Sequence, residues 1–530
     1  MQNKQVLGTF RRWVVSVWIL SMLLVPVAAE EVDRQRNSDP AVVRELIGKA
    51  AREDSRVMEL LSYLTDAVGP RLTGSTGLSL ANQWARERFE SWGLQSSRLE
   101  PWGHFGRGWE LTRLRLELVE PYYLPLIGQV RAWTSGTQGV IRSRPIAVVI
   151  DDDSDFARYM GTLEDRIVLL GTPPEITLPE AGMVNRWSQS DLDELLYLEE
   201  RRPRRRGRER ELRNLRQFRE KVIRFIREEG ASLLIEPDYG GFGGTLFVGA
   251  GGSPRSESVE TLPSVVLAAE HYGLLWRILN WRDQVQVEAE VQTRFLEEDQ
   301  LAYNVIAEIP GSDPLLAHEV VMAGAHLDSW HAATGTSDNA AGVAAVMEAA
   351  RLLRAAGAKP RRTVCFALWS GEEQGLLGSR AYVQSHFLDE NEEGRNRESH
   401  QNFSAYFNLD NGAGQIRGLF LQGNLQAGEV FQPIVESLQE YGVTTLSPRS
   451  TGGTDHLSFH RAGLPGFQFI QDPLSYRTLT HHSNMDFYDH VVEEDLRQAS
   501  VVLAIFLLEV ANLDEKVPRF QLSAPARIPR

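Results

Sequence analysis

At 530 residues, with 42% hydrophobic and 24% charged residues, the chain has an ordinary globular composition and is too long for one core, so two or more domains are expected. Its 71 acidic against 56 basic residues give a formal charge of −15, which argues against nucleic acid as the main partner. The only cysteine, Cys365, rules out an internal disulfide and a thiolate-rich metal site. It lies in the apolar run "TVCFALW" and reads as an inert core residue.

In chain order, Lys4, Arg11 and Arg12 precede the uncharged run "WVVSVWILSMLLVPVAA" (13–29), which ends in small residues before Glu30. That order reads as a secretory signal over residues 1–29, with Val27 and Ala29 at the −3 and −1 positions. The run is short for a bilayer span of about 20 residues, so an uncleaved anchor is the less favoured reading. No second such run follows, so no stable membrane span is expected after cleavage, and the chain is placed outside the cytoplasm, secreted or periplasmic.

Residues 41–121 show helical spacing of apolar positions on both sides of the turn-forming "GPRLTGS", then an alternating strand in "GWELTRLRLELVEP". Residues 122–300 read as a separate β-rich module, with "PIAVVID", "RIVLLG", "ASLLIEP" and "PSVVLAA" as short strands between Gly, Pro and Asp turns. Whether that module serves as lid, dimer contact or substrate wall is open. Inside it the spacing predicts one charged helix over 190–229, carrying "RRPRRRGRER". The flanking "DLDELLYLEE" favours a solvated, internally paired helix over a polyanion site.

Over 301–513 strands alternate with helices: "NVIAEIPG", "EVVMAGAH", "TVCFALWSG", "AYFNLD" and "GFQFIQ" against "AGVAAVMEAARLLRAAG", "QGLLGSRAYVQSH" and "EDLRQASVVLAIFLLEVANL". The expected fold class is therefore α/β, a mostly parallel sheet with helices on both faces. Residues 514–530 are expected to form a disordered tail.

Ligands of open α/β sheets bind beyond the carboxyl ends of the strands. Here those ends carry His326, then Glu372 and Glu373, then Asp410; Asp338 opens the long helix, and His482 follows the last strand in "LTHHSNMDFYD". Each has a bland explanation: Asp338 as a helix cap, "GEE" as an acidic first turn, Asp410 as a turn former. Together, so many acids and histidines on one rim need compensating charge, which a pair of bound cations provides. Imidazole and carboxylate ligands suit zinc, with cobalt or manganese as substitutes. Five ligands serve two ions about 3.5–4 Å apart if one carboxylate bridges them.

The ordered series "GAHLDS", "SDNAAG", "WSGEEQGLLGS", "NLD" and "HHSNMD" resembles the motifs of the M28 family of zinc exopeptidases. "DAVGPRLTGS" and "LEPW…RGWE" resemble a carboxypeptidase branch of it, and the β-rich module resembles a protease-associated domain. The resemblance covers about residues 41 to 513. It implies the zinc exopeptidase fold, two Zn2+ ions, a peptide substrate of dipeptide or short-peptide size, and a homodimer as an option. His326 and Asp410 would hold one ion, Glu373 and His482 the other, with Asp338 bridging.

By the same resemblance, Glu372 would be the general base toward the shared water and Asp328 would hydrogen-bond His326 and fix its tautomer. The Asp338–Asn339 peptide would be cis. His481 stands where some relatives have an oxyanion-stabilising Tyr, and His481 or Tyr476 would take that role. Asp455 and His456 would border the substrate pocket, while His331 has no family role and is expected to be exposed. Two other readings stay open: a receptor-like binding protein that uses the same fold without catalysis, and a glutaminyl cyclase-like enzyme with a single zinc.

Overall fold

The computed structural model describes residues 40–177, 179, 182–198, 206–255, 261–297, 301–389 and 397–520. The expected signal at 1–29, most of the basic tract and the end of the tail lie outside the described residues.

An eight-stranded sheet forms the frame, in the order Gln95–His104, Leu301–Ile309, Thr363–Trp369, Val320–His326, Phe403–Asn408, Gly466–Gln471, Ile416–Phe420 and Thr445–Ser447. Its four middle strands run parallel, from Thr363–Trp369 to Gly466–Gln471. Toward the edges the direction reverses: Gln95–His104 runs antiparallel to Leu301–Ile309, Leu301–Ile309 antiparallel to Thr363–Trp369, and Ile416–Phe420 antiparallel to Gly466–Gln471. The parallel centre has apolar side chains on both faces, as a strand covered by helices on both sides requires.

In Thr363–Trp369, Val364, Phe366 and Leu368 face one cluster while Cys365, Ala367 and Trp369 face another. The first cluster includes helices Ala341–Ala355 and Glu493–Asn512, and the second includes residues of helix Leu377–Phe387 and Phe459. Alanine-rich Ala341–Ala355 carries 12 buried residues, since small side chains let its backbone lie close to the sheet. Cys365 is buried, as expected, and burial pushes its thiol up.

Two smaller sheets form the middle of the chain. One is antiparallel, in the order Leu124–Pro125, Gly108–Glu120, Gln286–Leu296 and Ile141–Ser143. The other has the order Gly128–Val130, Ser264–Leu267, Leu233–Pro237, Ile167–Leu170 and Ile146–Val148, parallel except for its first pair. The strand Gly108–Glu120, read in sequence as part of the N-terminal segment 41–121, thus pairs inside this middle region.

Three expectations change here. The helix expected over 190–229 is two helices, Gln189–Glu194 and Arg206–Glu228. A Ser188–Asp191 capping box starts the first, and Pro203, which has no amide hydrogen to donate, sits between them in the sequence. The tail expected to be disordered from 514 is packed as far as Phe520. Val517 is 2% exposed and donates to Ser404 Oγ, and Arg362 donates to the carbonyls of Leu513 and Asp514.

His331, expected to be exposed, is buried: its Nε2 donates to the Val130 carbonyl at 2.6 Å and its ring meets Trp109 edge-on. Burial lowers its pKa to about 4, below the ordinary imidazole value of about 6.5. The unfolded chain therefore binds a proton that the fold excludes, and stability is lost as pH falls from about 6.5 through about 4. A His331→Gln variant should show a shallower fall of Tm between pH 7 and pH 4 than the parent protein. Equal slopes would remove His331 as a source of acid sensitivity.

Candidate metal centre

All four parallel strands end on one rim. His326 is the last residue of Val320–His326, Glu372 and Glu373 follow Thr363–Trp369, Asp410 follows Phe403–Asn408, and the loop after Gly466–Gln471 carries His482. At the centre lies Asp338, whose two oxygens face different ways. Oδ1 is 3.3 Å from His326 Nε2, and Oδ2 is 3.2 Å from His482 Nε2. Asp410 Oδ1 sits 3.4 Å from His326 Nε2 on the first side, and Glu373 Oε2 sits 2.9 Å from His482 Nε2 on the second. The five sequence-predicted ligands thus converge as two pairs around one shared carboxylate.

The donor set fits divalent cations. His326 Nε2, Asp338 Oδ2, Glu373 Oε1 and Asp410 Oδ1 are buried without hydrogen-bond partners, a costly arrangement unless something positive satisfies them. His326 Nδ1 donates to the Asp328 carbonyl at 3.0 Å. A carbonyl can only accept, so Nδ1 carries the hydrogen and Nε2 offers its lone pair inward. Burial followed by the nearby Asp338 charge pushes Glu373 up to about 7. His482 goes up to about 10 despite its burial, because Glu373 and Asp338 favour its charged form.

Asp328 hydrogen-bonds His326 as expected, but through its carbonyl rather than its carboxylate. Its carboxylate is 3.7 Å from His326 Nδ1, and it accepts instead from the amides of Glu372 at 3.3 Å and Glu373 at 3.2 Å and from Thr73 Oγ1 at 3.0 Å. It therefore fixes the backbone of the glutamate pair, while its own carbonyl orients His326. Glu372 is 8% exposed, and burial together with Asp410, Asp455 and Glu373 raises its pKa well above the usual carboxylate range, against the opposing pull of His326.

The residues of the substrate-pocket expectation separate. Asp455 is fully buried, and burial raises it to about 7, with Asp410 and Asp328 adding to the rise and His326 opposing it. His456 is turned to Gln422 and to the Thr451 carbonyl. Tyr476 and His481 have ring centroids 4.8 Å apart, and His481 stacks on His482 at 3.8 Å. His481 Nε2 lies 3.7 Å from Asp338 Oδ2, at the mouth of the cluster. The Asp338–Asn339 peptide is cis.

Sequence reading missed three residues that hold the candidate ligands. Asp486 accepts from the amides of Ser337 at 2.7 Å and Asp338 at 3.1 Å. Asn339 Nδ2 donates to the Leu409 carbonyl at 2.9 Å, tying the Asp338 turn to the residue before Asp410. Arg71 is fully buried and donates to the carbonyls of Leu64, Gly69, Leu327, Thr334 and Gly335 at 2.8–3.1 Å. Asp486 and Arg71 lie within recognisable motifs, but residue type alone does not say what either bonds.

Residues 304–506 match the model of peptidase family M28. It is similar over most of its length to carboxypeptidase Q: it is 25% identical to the Bos taurus protein over 481 residues, covering 89% of this chain and 88% of that one. The crystal structure of a peptidase M28 precursor from Shewanella amazonensis is similar at 25% identity and a TM-score of 0.63, covering 91% of this chain and 99% of that one. A zinc aminopeptidase from Bacillus subtilis shares the fold at 20% identity and a TM-score of 0.51, covering 85% of this chain and 93% of that one.

Proposed function

We propose that this chain is a secreted or periplasmic di-zinc exopeptidase acting on dipeptides or short peptides. The observation that carries the reading is the divided carboxylate of Asp338, one oxygen toward His326 and Asp410, the other toward His482 and Glu373. That arrangement supports one ion on each side with Asp338 between them. The family match and the zinc aminopeptidase of the same fold support zinc as the metal. Among the described residues no helix is long and apolar enough to cross a membrane. The middle sheets are read as the protease-associated-type insert, with Gly108–Glu120 drawn into it.

When bound, such ions polarise a scissile carbonyl and acidify water. The chain's own groups do the rest. Glu372 takes a proton from the attacking water and hands it to the leaving amine, a role for which a raised pKa suits it. Asp328 holds both glutamates by their amides, so Glu373 faces His482 while Glu372 is kept for proton transfer. His481, at the mouth, or Tyr476 beside it would stabilise charge developing on the substrate oxygen.

Metal removal tests the reading. The protein as purified should hold close to two zinc ions per chain, a chelator should abolish hydrolysis of a dipeptide panel, and added zinc should restore it. Peptides blocked at both termini should resist cleavage. A stoichiometry near one would favour the cyclase-like alternative, and a chain that takes up no zinc would favour the receptor-like one.

A further inference from the structure

The loop that carries His482 is gripped at both ends by the middle region of the chain. At its far end, residues 246–248 pair antiparallel with 482–484. The Val248 amide donates to the His482 carbonyl at 3.0 Å, the Asn484 amide donates to the Leu246 carbonyl at 3.1 Å, and Phe247 and Ser483 form the bridge between them. The Asn484 side chain completes the clasp, accepting from the Leu246 amide at 2.9 Å and donating to the Gly244 carbonyl at 3.1 Å.

At its near end, Asn185 and Leu474 exchange backbone hydrogen bonds at 3.0 and 2.7 Å. Trp187 donates through its amide to Asp472 at 3.0 Å and through its indole to the Gln471 carbonyl at 2.8 Å. Leu474 and His482 both have left-handed backbone, with φ of 45° and 58°. Non-glycine residues hold that conformation only where their surroundings enforce it, and each of these two is a bonding point to the middle region.

The clasp is itself anchored. Asp238 is buried just beyond the strand Leu233–Pro237, and its amide donates to the Leu267 carbonyl at 2.9 Å. Its carboxylate accepts from the Phe247 amide at 3.0 Å, from the Gly240 amide at 3.1 Å and from the Gly241 amide. One carboxylate thus folds residues 240–247 into the shape that meets the His482 loop. Gly249, next along, lies against the Trp330 indole, and Trp330 meets the His482 ring edge-on at 6.0 Å.

We propose that the five-stranded sheet is a brace for the metal centre, and that Asp238 is a positioning residue that sets the orientation of His482 through residues 240–248. This rests on the proposed assignment of His482 and Glu373 to one of two ions. It gives the middle region a role in the chemistry that a detached lid would not have.

The Asp238→Ala variant, purified as the full chain, tests it by zinc competition with a chelator and by dipeptide kinetics. One of the two ions should bind about 10- to 100-fold more weakly, with kcat/KM falling by a similar factor, as loss of a ligand's outer support produces. Asp238→Asn keeps one acceptor oxygen for Phe247 and should recover part of both, which a general loss of stability would not explain. If Asp238→Ala does not fold, Asn484→Ala breaks the clasp from the other side and should show the same weakening. Wild-type zinc affinity and kcat/KM in a folded Asp238→Ala or Asn484→Ala protein would overturn the proposal and leave the di-zinc reading standing. A parent protein that binds no zinc would overturn both.

Discussion

Replacement of Glu372 by glutamine should leave zinc bound and remove about 10²–10⁴ of kcat, the range typical of a lost general acid–base group. Glu372 is the one member of the glutamate pair outside the carboxylate–imidazole contacts of Asp338, His326 and His482. Glu373 Oε2 is committed to His482, whereas Glu372 is buried beside Asp410 and Asp455 with its pKa raised. Glutamine keeps its size and removes only the capacity to take a proton. Zinc content by atomic spectroscopy and kcat on a dipeptide decide the outcome. Near-normal turnover would remove Glu372 from proton transfer, while loss of zinc would make it a ligand.

The second large effect is expected at Arg71. A fully buried guanidinium donating to five carbonyls is satisfied by geometry that no other side chain reproduces. Those carbonyls belong to residues 64 and 69, in and just after the helical turn Tyr63–Val68, and to residues 327–335, the loop between His326 and Asp338, so Arg71 ties the N-terminal helices to the loop that spaces two of the proposed ligands. Its charge is held in place despite burial, which lowers its pKa to about 10, by the nearby Asp486, Asp328 and Asp338.

Arg71→Met fills similar volume but leaves buried carbonyls unpaired, at a cost of about 3–5 kcal/mol in total. Tm should fall by roughly 5–8 °C for a domain of this size, and zinc affinity should fall with it. Lysine should not rescue, because a single ammonium cannot reach five acceptors. Differential scanning fluorimetry with and without zinc measures both effects, and an unchanged Tm would contradict the role.

Much of the site was legible because metal chemistry is written in residue types at strand ends. His326, Asp410 and the glutamate pair follow apolar runs that could only be buried strands, and the absence of thiolates narrows the metal from composition alone. Strand direction was less legible. The antiparallel partners Gln95–His104 and Leu301–Ile309 carry no signature distinguishing them from parallel neighbours, since direction depends on the connections between strands rather than on the strand itself. His331 and Arg71 were misread or passed over for a related reason. A polar residue in a loop ordinarily faces water, and only the carbonyls that surround these two make their burial favourable.

By itself, then, the amino-acid order determined which nitrogen and oxygen donors were available and which stretches would be buried, because those follow from side-chain chemistry and local period. Only the tertiary structure decided which oxygen of Asp338 meets which imidazole, and that Asp328 steadies the glutamates. It alone showed that residues 246–248 clasp 482–484. These are backbone and angular relations between segments far apart in the chain, and hydrogen bonds from main-chain amides leave no mark on residue identity.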